Sequence, residues 1–252
     1  MMGYHGYRHE TVQARAKELL LLLRGKHPDL YRLPINPCDI AEYCGLNISF
    51  ESIRDEKPLH QALAKIIPSK RLIVVDEDSY RANKGQAHFS IGHELGHWVL
   101  YLKKEFVDGQ ASMFDLSDEQ AVSAGFYRTK HGMALPPLGR LSELRGGDQQ
   151  FLADFFKGFD TPAVKSAVDT FSAALLMPPD LVTALAEEHG VAQAEDDALP
   201  HLVGKCADHC EVSRQAMAIR LGQLGFFYYV RLERGYRLTR QNPLDVIQPA
   251  LL

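Results

Sequence analysis

The apolar and polar positions of this chain alternate with two different periods, and the switches between them mark its elements. Residues 10–25 read as a helix closed by Gly25. Pro34-Ile35-Asn36-Pro37 is a break, and Cys38 to Cys44 reads as a short helix stopped by Gly45. Leu46 to Phe50 alternates apolar with polar and predicts a strand. Leu72 to Val75 predicts a second one, rich in β-branched residues. Arg81 to Gly85 reads as a polar turn, and Gln86 to Tyr101 as a long helix.

Beyond it the pattern loosens. Residues 102–160 carry glycine and proline breaks between short helical patches and read as an excursion of two or three helices. Asp160 to Met177 returns to helical spacing and is ended by Pro178-Pro179. Asp180 to His189 is a further helix, and Ala192 to Pro200 reads as a linker. Leu202 to Cys210 and a helix from the N-cap Ser213 to Leu224 follow. Phe226 to Leu232 and Tyr236 to Leu238 then flank the turn Glu233-Arg234-Gly235. Two short helices and a hairpin give a winged helix-turn-helix outline.

Composition narrows the class. Apolar residues make up 46% and charged residues 24% of the 252, enough to bury a core in one or two domains. A net charge of -4 and a pI near 6.3 do not suit a protein that binds nucleic acid or a membrane with its whole surface. The longest dense apolar run near the start, Leu19 to Leu23, is far short of the roughly 18 residues that span a bilayer. The opening residues have no basic stretch followed by an apolar one, so no secretion signal is expected. Four sparse cysteines (Cys38, Cys44, Cys206, Cys210) fit a reducing cytoplasm.

The strongest chemistry lies in His93-Glu94-Leu95-Gly96-His97. Residues four apart share a helix face, so both imidazoles can reach one metal ion. Glu94, beside the first of them, is placed to take a proton from metal-activated water. Apolar neighbours (Phe89, Ile91, Leu95, Val99, Leu100) predict a buried helix, and a strand precedes it at the separation expected of an active-site edge strand.

At these residues the chain resembles the ImmA/IrrE family of bacterial metallopeptidases. The similarity is carried by Gln86 to His97, by Phe171-Ser-Ala-Ala174 with Leu175-Leu-Met-Pro178, and by Pro37 to Ala41 with Gly45-Leu46. Val212 to Met217, Arg220-Leu221 and Leu224-Gly225 add to it. The likeness spans roughly residues 10–225, interrupted by 102–160. It implies a zincin-like fold, Zn2+ as cofactor, and a protein substrate such as a helix-turn-helix repressor. It also implies a third ligand, normally a Glu, four residues before an Asn or Asp. Those positions fall on Lys165 and Asp169, and lysine cannot act as an anionic ligand. Three readings stay open: Asp169 ligates or orients a ligating His, a carboxylate of the excursion (Asp115, Asp118 or Glu119) fills the place, or the site is degenerate. His131 is a further histidine to weigh against the metal.

Two other patterns are weaker. Cys206 and Cys210 with His201 and His209 outline a second metal site, though small core residues are their commoner use. Residues 201–240 hold seven Lys or Arg against three acids, opposite in sign to the whole chain, and Arg214 and Gln215 begin the candidate recognition helix.

The expectation is an α+β protein. A zincin-like domain with a small mixed or antiparallel sheet occupies residues 1–190, a helix-turn-helix or winged-helix-like region 199–240, and a tail 241–252. The expected activity is zinc-dependent endopeptidase cleavage with Glu94 as general base. The alternative is a degenerate regulator that binds DNA or a partner protein through the C-terminal region.

Overall fold

The computed structural model describes residues 8–53, 62–67, 70–102, 127–129, 132–134 and 161–242. The protein is α+β and divides into two compact units, Met1–Tyr31 with Asn36–Leu175, and Arg32–Ile35 with Leu176–Leu252. No helix among the described residues is long and apolar enough to cross a membrane.

In the first unit, helix α1 (His9–Lys26) buries Val12, Ala16, Leu20 and Leu23, a stripe at helical spacing. It continues through Gly25 rather than stopping there. Helix α2 (Pro37–Tyr43) starts where the Asn36 side chain accepts from the Cys38 amide at 3.1 Å. It ends at Gly45, whose φ of +80° lets the Gly45 and Leu46 amides fold back onto the Glu42 and Ala41 carbonyls.

Five strands form one sheet in the order β1-β3-β2-β4-β5: β1 (Asn47–Glu51), β2 (Ala62–Ile67), β3 (Leu72–Asp76), β4 (Tyr127–Thr129) and β5 (Gly132–Ala134). β1 runs parallel to β3 and the other pairs are antiparallel. β3 therefore lies inside the sheet, with Ile73, Val74 and Val75 buried, and is not the edge strand its place before the motif suggests. The sequence reading has no strand at β2 and expects helices where β4 and β5 pair. Pairing with a neighbour decided both, because a strand is stabilised by partners that local pattern does not show. The other elements expected over 102–160 lie outside the described residues.

Between β3 and the motif, Asp76 caps a short helix α3 (Glu77–Ala82) that replaces part of the expected polar turn. Its buried carboxylate accepts from the Ser79 amide at 2.9 Å and from the Ile53 amide at 3.1 Å. Helix α4 (Lys84–His97) follows at once, with the Asn83 side chain accepting from the Gln86 amide at 3.0 Å. It packs on β2, β3, α2 and α3. After His97 the chain widens into a π-helical turn, Trp98–Leu102, so the α-helix ends four residues earlier than its sequence suggests. Helix α5 (Pro162–Leu176) closes the unit.

The second unit contains α6 (Pro179–Glu188), α7 (Leu199–His209), α8 (Arg214–Gln223) and a hairpin of β6 (Tyr228–Arg231) and β7 (Tyr236–Thr239). Its boundary falls at Leu175–Leu176, before the expected linker at Ala192 to Pro200. The reason is the apolar stripe of α6 (Val182, Leu185, Ala186), which is buried and packs with α7 and α8. The expected linker, Ala192 to Pro200, begins in a 3-10 turn (Val191–Gln193), runs through irregular turns and ends in the first residues of α7. Buried Arg220 on α8 donates from Nε to the Met177 carbonyl at 2.9 Å, tying α8 to the segment before α6. Of the expected tail, residues 243–252 lie outside the described residues.

Candidate metal centre

Ten consecutive or near-consecutive residues of α4 are buried, including His88, Ser90, His93, Glu94 and His97. Only nine polar or charged residues are buried among those described, and five of them lie on this helix. Removing such groups from water costs free energy that a purely structural helix avoids by carrying apolar residues instead.

The two imidazoles converge. His93 Nε2 and His97 Nε2 lie 3.2 Å apart, with the rings 4.9 Å between centroids and 72° between planes. With metal–nitrogen bonds of about 2.0–2.1 Å, a 3.2 Å separation corresponds to an N–metal–N angle of about 103°, close to tetrahedral. The pair therefore fits a single zinc-sized cation. The same pair also closes as a hydrogen bond when a proton on His97 Nε2 points at the His93 lone pair.

Asp169 on α5 sets the other end of the first ring. Its Oδ1 lies 2.8 Å from His93 Nδ1. The ring nitrogen donates and the carboxylate accepts, which leaves the Nε2 lone pair of His93 directed at His97. An oxygen on the Nδ1 side lies across the imidazole from Nε2, so Asp169 stands on the far side of the His93 ring from His97. Lys165, one helical turn earlier, is exposed. Asp115, Asp118, Glu119 and His131 lie outside the described residues. Among the described residues no group of three or more His, Cys, Asp or Glu side chains is gathered around one point.

Two glycines hold Asp169 at His93. Gly92 and Gly96, four apart, form a bare strip on α4 against which α5 lies. A Cβ on Gly96 would stand 3.2 Å from Val168 Cβ and 3.3 Å from Phe171 Cδ1. A Cβ on Gly92 would overlap Ser172 Oγ, which donates to the Phe89 carbonyl at 2.9 Å. The signal was present as two glycines at helix spacing around the first histidine, but one sequence does not reveal which helix they face.

The remaining candidates sit in the second unit. Arg214 and Gln215 are exposed at the start of α8. Cys206 and Cys210 are buried, and burial pushes their thiols up to about 11 and about 12, while His201 and His209 are exposed. These four do not converge, and the cysteines serve the core.

A scan against protein-family models finds no match for this chain. A search of curated proteins finds no match either.

Proposed function

We propose that the chain is a zinc-dependent endopeptidase with a zincin-like first unit. The observation that carries this reading is the convergence of His93 Nε2 and His97 Nε2, with Asp169 fixing the first ring from behind. In this reading His93 and His97 hold the ion. When bound, zinc lowers the pKa of coordinated water to about 7 and polarises the scissile carbonyl. Glu94, wholly buried beside His93, accepts a proton from the attacking water and passes it to the leaving amine. Asp169 keeps the Nδ1 proton of His93 in place, so the ring offers its lone pair in every turnover. A helix-turn-helix repressor is the substrate class that the family resemblance suggests, and a cytoplasmic setting suits both it and the reduced cysteines.

The test combines metal content with cleavage. Purified protein should carry about one zinc per chain by elemental mass spectrometry, and His97→Ala should carry none. Incubated with a peptide library, wild type should yield new N-termini that Glu94→Gln does not, while Glu94→Gln keeps its zinc and its circular dichroism. Zinc binding without any Glu94-dependent cleavage would leave the second reading, a regulator built on a peptidase fold. The exposed Lys165, where the resemblance places a carboxylate ligand, favours that alternative.

A further inference from the structure

We infer that the second unit docks on duplex DNA through α8 and the β6–β7 wing. The inference is independent of whether the first unit cleaves peptides.

The geometry begins with α7 and α8, which pack together across the four-residue turn Cys210 to Ser213. Glu211 takes a left-handed φ of 52°, and the Glu211 and Val212 amides bond back to the Asp208 and Ala207 carbonyls at 3.2 and 3.0 Å. Ser213 then caps α8, accepting from the Ala216 amide at 3.1 Å. This is a tight helix-turn-helix. The Arg214 guanidinium lies along α7 at Gly204, its Nε 3.5 Å from where a Cβ would stand.

The wing is attached to the same surface. Gln215 Nε2 donates to Tyr229 Oη at 3.4 Å, and Tyr229 stacks on Tyr236 with 5.1 Å between ring centroids. The hairpin register pairs Arg231 with Tyr236 and Tyr229 with Leu238, so Arg231 projects on the face that carries Tyr229. Arg234 sits in the turn and Arg237 on the opposite face of β7.

Charge selects the occupant. Residues 176–198 contain six acids and no Lys or Arg, whereas 199–242 hold seven Lys or Arg against three acids. Folding withdraws two of the seven. Arg220 is buried, and Arg240 is spent on the backbone carbonyls of Val191, Ala194 and Phe226. The other five stay exposed, and four of them lie on α8 or the wing. Gln215 and Ile219 add an amide and an apolar contact on the exposed face of α8, the groups that read base edges and thymine methyls in the major groove. Glu233 is the one acid on α8 or the wing. An acidic protein partner would require a continuous apolar centre to this surface. Its exposed large apolar residues are separate ones, Ile219, Tyr228 and Leu232.

The experiment is fluorescence anisotropy of a labelled 25-base-pair mixed-sequence duplex titrated with the full chain over a salt series. Binding should weaken linearly in log–log form with salt. The triple variant Arg231→Ala/Arg234→Ala/Arg237→Ala should lose about tenfold or more in affinity and flatten the salt slope by roughly 2–3. The matching Lys triple, which keeps the charges, should retain binding. Ile219→Glu should abolish it, while Lys17→Ala on α1 and Glu94→Gln should bind as wild type. A flat titration at low salt overturns the proposal, as does an Ala triple that binds normally. Equal affinity for polyglutamate would also overturn it, by assigning the patch to acidic proteins.

Discussion

His93 is held from both sides, and that makes Asp169 the residue whose removal is most informative. Deleting an acceptor behind a metal-ligating imidazole frees the ring to rotate and to change tautomer, at a typical cost of 10–100-fold in metal affinity. Asp169→Ala should therefore weaken zinc binding by about that factor, measured by competition with a chromophoric chelator. Asp169→Asn should lose less, since its amide oxygen still accepts from Nδ1. Unchanged affinity in both would remove Asp169 from the site. Lys165→Ala, exposed and a turn away, should leave affinity where it is.

At the scale of elements, the crossing of α4 and α5 sets the site. Gly96→Ala sets a methyl at 3.2–3.3 Å from Val168 Cβ, Phe171 Cδ1 and the Val168 backbone Cα, closer than nine in ten such contacts, and the backbone atom cannot swing aside as a side chain does. Overpacking of this kind costs roughly 1–3 kcal/mol, to be read from the urea midpoint. Zinc affinity should fall along with it, because Asp169 moves with α5. Helix α7 supports a prediction about pH. Its two buried thiols are pushed from an ordinary value near 9.0 up to about 11 at Cys206 and about 12 at Cys210, mainly by burial. The unfolded chain ionises them first, so their contribution is whole below pH 9 and is lost as pH rises through 11 and 12. Urea stability should drop over that alkaline range, and Cys206→Ala/Cys210→Ala should show a shallower drop. Both thiols should react slowly with a thiol reagent at neutral pH in the folded protein.

At the scale of the whole molecule, long-range polar ties hold the second unit together. Arg240 follows β7 and gathers carbonyls from the 3-10 turn and from the residues before β6, while its own amide donates to Asp196 at 2.9 Å. Removing that guanidinium leaves several carbonyls short of a donor. Arg240→Ala should cost about 2–3 kcal/mol, on the scale of hydrogen bonds to a charged group, and denaturant melts should show it as a lower midpoint with unchanged slope. Arg231→Ala, exposed on the wing, should leave stability within about 0.5 kcal/mol. The pair would separate an arginine used for the fold from one left for a ligand.

The sequence by itself determined the elements whose cause is local. The helix start at Ser213 follows from a side chain that caps its own backbone, and the ends at Gly45 and Gly225 from a left-handed φ. It also determined that His93 and His97 share a face, because four residues make one helical turn. Tertiary structure alone decided what depends on a distant partner. β2 became a strand by pairing with β3 and β4, β4 by pairing with β2 and β5, and α6 joined the second unit by burying its stripe there. Asp169, 76 residues from His93, reached Nδ1 because Gly92 and Gly96 let α5 approach. Seven Lys or Arg were legible in the C-terminal region, but only folding showed that Arg220 and Arg240 serve the interior. Capping and periodicity act within a few residues, whereas strand pairing, helix approach and burial are set by neighbours that the chain brings together only when it folds.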